Sequence, residues 1–490
     1  MANARGRSTV SSLRMSAEET APAPARASHD SDIPANLEQF LLSGWKAFDP
    51  APPPPVANAA AFAERRSRLG ARFPGEHLFI GTGHEKVRAN DTHYAFRPGS
   101  DFAWLTGNHE ADCVLWLCPQ ADGSHRSVLF VEPVNRTDIT FFKDRNKGEL
   151  WVGRRLGLEH TPPRFGVDEA RSLRELDEVV RGLPDARILP GIDPQLEALR
   201  PSTERDAELG AAAAELRLLK DAAELAELQT VIDATKRGFE DVIRALPTAT
   251  SERDVEVIFY GRARREGNDV GYGTIAACGA NACILHWTRN HAPLGKGELL
   301  LLDAGVEGHA LYTADITRTL PVSGKFSPAQ REIYELVWEA QQAAMAMVRP
   351  GIDFMAPNKE AMRVLARGLE RLGILPNAEE ALQQENQFYR RYSLHNISHM
   401  LGIDVHDCAK ARQETYRYGK LLPGMVFTVE PGLYFQPDDQ TVPAKYRGIG
   451  VRIEDDIVVT EDGYHNLSAH IPSEAGAVEQ WIGSVQGAAR

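Results

Sequence analysis

The sequence is poor in cysteine, with five residues among 490 and no CxxC spacing. An odd number so widely spread (Cys113, Cys118, Cys278, Cys283 and Cys408) does not make a disulfide framework, and reads as small core residues in a reducing compartment. Long apolar runs are also lacking. None approaches the roughly 18 residues a spanning helix needs, and the N-terminus has no signal-type hydrophobic segment. A cytoplasmic protein with no membrane partner is therefore expected. Positive charge is in deficit: 55 Lys and Arg stand against 68 Asp and Glu, for a net charge of −13 and a pI near 5.7. Nucleic acid and anionic lipid call for clustered Lys and Arg, so neither is expected as a partner.

What is present is the make-up of a globular protein, 43% hydrophobic and 25% charged, long enough for two or three domains. Residues 1–55 are rich in Ala, Pro, Ser and Arg, and read as a disordered extension closed by the run Pro52 to Pro55. A helical pattern over 57–72, with short strands at 77–80 and 127–131 and further helix near 172–183, suggests an α/β domain spanning 56–205. Composition shifts at Ala211. One long helix is expected over 214–246, ended by Pro247, and Ser251 with Asp254 makes a capping box for the next. A β segment over 274–286, helices over 327–349 and 358–372, and strands at 425–429 and 450–459 then suggest an α+β domain with an antiparallel sheet. That domain spans 206–475, leaving 476–490 as a tail.

The chemistry gathers around residues 298–319, ELLLLDAGVEGHALYTADITRT. Leu299 to Leu302 form a buried strand ending in Asp303. The return strand alternates, with Leu311, Thr313, Asp315, Thr317 and Thr319 on one face, and a hairpin centred near His309 sets Asp315 opposite Asp303. Like charges facing each other across two strands destabilise a sheet unless a cation sits between them. Three further segments place metal-type ligands beside apolar strands: His399 in SLHNISHMLGIDVHD, Glu430 at the end of MVFTVEPG, and Glu454 in GVRIEDDIVV. Four carboxylates and one imidazole in such settings bring too much buried negative charge unless metal ions balance it. Oxygen-rich ligation with a single His suits Mn²⁺, Co²⁺, Fe²⁺ or Zn²⁺, and a pair of such ions is hydrolytic machinery.

Together LLLDAGVEGHALYTADITRT, HNISHMLGIDVHD, FTVEPGLY and GIGVRIEDD resemble the metal-binding motifs of the pita-bread metallopeptidases, in their aminopeptidase P and prolidase branch. The family order Asp, Asp, His, Glu, Glu falls on Asp303, Asp315, His399, Glu430 and Glu454, and FRPGSDFAWLTGNHEADCVL resembles the N-terminal domain of the same branch. The resemblance implies a pita-bread catalytic domain and two divalent ions, Mn²⁺ by preference. Asp315 and Glu454 would bridge the ions, Asp303 would chelate one, and His399 and Glu430 would complete the other. Glu430 is also implied as the proton shuttle. His286 in ILHWTRN matches a His that stabilises the tetrahedral intermediate, while His395 and His406 match the pair lining a proline pocket; each could instead prop a ligand. Tyr272 and Arg452 match residues that orient the ligand carboxylates.

The implied activity is removal of an N-terminal residue from peptides with proline second. Prolidase, acting on dipeptides alone, is the alternative, and a metal-free relative on the same fold is a third. Dimers or tetramers are implied by the branch. This sequence departs from the family at Asn396, where Gly is usual, and at Trp287, where Tyr is usual.

Overall fold

The computed structural model describes residues 33–45, 51–201 and 203–488. They fall into two compact units. The smaller comprises the segment before residue 51 together with 135–154. Within it, helix Ala35–Leu42 is followed by Trp45, whose ring stands edge-on to Phe141 at 5.9 Å. Most of the 1–55 extension lies outside the described residues.

The larger unit comprises 51–134 with 155–490, so the expected 56–205 segment is divided, its residues 135–154 falling in the smaller unit. The first part of the larger unit is a five-stranded sheet in the order Glu169–Ser172, His125–Val131, Val114–Pro119, Leu78–Gly81, Arg187–Ile188. The inner pairs are antiparallel and the outer pairs parallel. Alternation along Leu78–Gly81 sends Leu78 and Ile80 into the main core and Phe79 into a second core, with Val180 and Leu196. Trp116 stacks between Phe79 and Phe130 at 5.6 and 6.2 Å.

The α+β part has four main helices: Ala222–Ala245, Glu252–Glu266, Pro328–Ala346 and Ala356–Arg371. Capping boxes start the first three, at Asp221 with Glu224, Ser251 with Asp254, and Ser327 with Gln330. The single helix expected over 214–246 is in fact two, Glu204–Arg217 and Ala222–Ala245. Asp221 caps the second, and the turn before it holds Lys220, which bonds the Gly424 carbonyl through its amide N–H at 2.9 Å. Residues 476–490, expected as a tail, carry most of helix Ala475–Gly487, which buries Val478, Trp481 and Ile482.

The expected hairpin also differs. Strand Leu299–Ala304 lies between Ile275–Cys278 and Ile316–Pro321, all antiparallel, but its register pairs Asp303 with Thr317. Asp315 comes just before its strand rather than within it. The connection turns aside so that Val306–Glu307 pairs with Asp269–Val270, and Leu311 takes φ 69°. Gly305 has no room for a side chain, because a Cβ there would collide with the Ala314 carbonyl. That close approach brings Asp303 and Asp315 together without direct pairing.

Candidate metal centre

Backbone pairing positions the remaining ligands. The Thr428 amide N–H bonds the His399 carbonyl at 3.0 Å, and that of Glu430 bonds Ile397 at 2.9 Å, so His399 and Glu430 stand side by side. Glu454 lies between strands Gly450–Arg452 and Asp455–Val459, and its amide N–H reaches the Thr317 carbonyl at 3.1 Å. All ten residues singled out from the sequence (Tyr272, His286, Asp303, Asp315, His395, His399, His406, Glu430, Arg452 and Glu454) line one cavity of about 740 Å³.

Ligating atoms of Asp315, His399 and Glu454 lie within 4.8 Å of one another. Glu430 joins them through His399, whose Nε2 is 3.4 Å from Glu430 Oε1 and 3.3 Å from Asp315 Oδ2. Asp303 joins through Tyr272, whose hydroxyl lies 2.6 Å from Asp303 and 2.5 Å from Asp315. Arg452 Nη2 donates to the other Asp303 oxygen at 2.5 Å. Two participants escaped the sequence reading. Thr317 Oγ1 donates to Glu454 at 2.6 Å, and the Tyr434 hydroxyl meets His395 Nε2 at 2.8 Å and Arg452 Nη1 at 3.1 Å. Period two from Asp315 could have pointed to Thr317, and the Tyr that closes FTVEPGLY could have pointed to Tyr434.

The donor chemistry calls for cations. His399 Nδ1 faces the Met400 carbonyl at 3.1 Å, so a neutral ring donates there and turns the Nε2 lone pair toward two carboxylates. Acceptor then faces acceptor. Tyr272 has one proton for two carboxylate oxygens. Burial pushes Asp303 and Glu454 above the usual carboxylate range and lifts Glu430 to about 7. Burial disfavours a charged His399, yet the Asp315 hydrogen bond and the Glu430 charge outweigh it and raise the ring to about 9. The carboxyl shifts reflect burial, and the His399 shift reflects the carboxylates gathered around it. Four carboxylates and one imidazole suit divalent ions of hard to borderline character. His395 behaves differently, since burial and the Arg452 charge lower it to about 4 and keep it neutral.

Comparison with known proteins shows the family. Residues 226–461 match metallopeptidase family M24, and residues 62–187 match the aminopeptidase P N-terminal domain. The chain is 48% identical to Xaa-Pro aminopeptidase 1 of Streptomyces coelicolor, over 92% of each chain. It is 36% identical to the Xaa-Pro aminopeptidase of Escherichia coli, over 85% of this chain and 96% of that one. The solved structure of E. coli aminopeptidase P with the inhibitor Pro-Leu superposes with a TM-score of 0.79 at 33% identity, covering 88% of this chain and 99% of that one. The chain thus belongs to metallopeptidase family M24, with a pita-bread catalytic domain preceded by an aminopeptidase P N-terminal domain.

Proposed function

We propose that the protein is an Xaa-Pro aminopeptidase, a metalloenzyme that hydrolyses the bond between an N-terminal residue and a following proline. The observation that carries this reading is the meeting of five metal-type donors and three further histidines in one cavity. Two divalent ions, which we take to be Mn²⁺, would be held by Asp303, Asp315, His399, Glu430 and Glu454. When bound, such ions supply Lewis acidity to water and to the scissile carbonyl.

The chain's own residues supply the rest. Tyr272 and Arg452 fix the two faces of Asp303, and Thr317 fixes Glu454. Glu430 carries a proton to the departing nitrogen. A proline nitrogen in a peptide bond has no hydrogen, so it must gain one as it leaves. His286 stabilises the oxyanion, and His395 and His406 flank the proline and its carbonyl. We assign the boundary between the two domains to residues 205–206. A cytoplasmic setting is supported by the five cysteines, all free thiols, and a homo-oligomer is proposed. Among the described residues, no helix is long and apolar enough to cross a membrane.

Hydrolysis of a matched Xaa-Pro dipeptide and Xaa-Pro-Xaa tripeptide, with and without added Mn²⁺, tests the reading. Metal-dependent release of the first residue from the tripeptide is expected. Cleavage of the dipeptide alone would make the enzyme a prolidase.

A further inference from the structure

His406, like His286, has no side-chain hydrogen bond holding it in the cavity among the described residues. Its ring stands edge-on to His399, 4.4 Å between centroids. Its placement therefore depends on its backbone, and the next residue, Asp407, is where that backbone is tied down. Asp407 is 1% exposed. Its carboxylate accepts a hydrogen bond from Lys220 Nζ at 2.7 Å and pairs with Arg217 Nη2 at 3.0 Å. Its amide N–H bonds the Met400 carbonyl at 2.9 Å. Gly402 lies against the pair, where a side chain would strike the Asp407 carboxylate and the Lys220 ammonium.

The same loop is held from the N-terminal domain. Ser100 donates to Asp404 at 2.5 Å, and Arg97 donates to the Ile403 carbonyl at 2.6 Å. Arg217 also pairs with Asp101 at 3.1 Å. Arg217 and Lys220 stand at the joint between helices Glu204–Arg217 and Ala222–Ala245, between the two family matches.

We infer that Lys220 and Arg217 are positioning residues for turnover, holding His406 in register through Asp407, and that Ser100 and Arg97 give the N-terminal domain a share in the same task. This rests on the reading that His406 takes part in turnover. Misplacing a reacting group by about 1 Å can cost on the order of 100-fold.

The test is a double-mutant cycle on the metal-loaded full chain. Lys220→Met should lower kcat about 10- to 100-fold with unchanged metal stoichiometry, and should cost nothing further in a His406→Ala background. Lys220→Arg should restore part of the loss. If Lys220→Met fails to fold, Ser100→Ala at the rim serves instead, with a smaller loss of kcat that again vanishes in His406→Ala. Losses that multiply in the double variant, or loss of metal in Lys220→Met, overturn the inference while leaving the role of His406 intact. Full turnover by His406→Ala itself overturns the reading on which the inference rests.

Discussion

The cavity and the joint beside it both bury charge, but on opposite balances. At the joint, Arg217 and Lys220 meet Asp407 and Asp101, two cations to two buried anions, with part-exposed Asp404 3.4 Å from Arg217. Although burial pushes the Asp407 carboxyl up, Lys220 and Arg217 hold it below the usual range. In the cavity, Asp303, Asp315, Glu430 and Glu454 face one permanent cation, Arg452, and burial carries Glu430 to about 7. A balanced cluster fastens backbone to backbone, whereas an unbalanced one is built to be completed by something the chain does not supply.

The sharpest way to break this contrast is to remove a ligand. Asp303→Ala or Glu454→Ala should cost at least about 1,000-fold in kcat/KM, since Lewis acidity is worth several kcal/mol, and should lower metal content by elemental analysis. Retained turnover in either would end the two-ion assignment.

Next come the opposite signs expected for neutralising an acid in the two clusters. Asp407→Asn strands the buried Lys220, leaving Arg217 with Asp101 and Asp404, and should destabilise the protein by about 3–5 kcal/mol in denaturant unfolding. Glu454→Gln in metal-free protein at pH 8 should instead raise the unfolding midpoint, because it relieves crowding among like charges. Equal signs would mean the clusters are alike. His286→Ala separates chemistry from binding of the ions. A loss of about 100-fold in kcat is expected with the metal content of the parent enzyme.

The smallest effect belongs to a balanced pair whose arginine is open to solvent. Arg391, bonded to Asp439 at 2.9 Å, holds that carboxyl down to about 2. A depressed carboxyl stabilises the fold above its unfolded value, near 3.8, and that contribution is lost as pH falls through about 2. Arg391→Gln should therefore lower stability at pH 6 by less than about 1 kcal/mol, because solvent screens the pair, and should match the parent near pH 1.5. Thermal unfolding at the two pH values reads the difference.

The proposed ligands were legible as candidates because each sits at a strand end or in a short apolar context, where a carboxylate has no ordinary reason to be. Their register was less so. Period two placed Asp315 in the return strand, but the detour through Val306–Glu307 and the left-handed Leu311 depends on a partner strand far away in sequence. The break between Arg217 and Ala222 carries neither Gly nor Pro. Asp221 with Glu224 three residues later was the available signal, hidden inside an otherwise continuous helical pattern. Arg217 and Lys220 look in sequence like the solvated face of a helix. Only the fold brings Asp407, 187 residues past Lys220, against them.

That arrangement bears on how the molecule can be divided. The M24 match begins at residue 226, and a fragment cut there would keep every residue proposed to touch the ions. It would leave behind Arg217, Lys220 and the Asp221 cap, so Asp407 would have lost both cations that meet it. The smallest autonomous catalytic piece is therefore expected to start before Arg217, closer to the boundary at 205–206 than to the start of the family match.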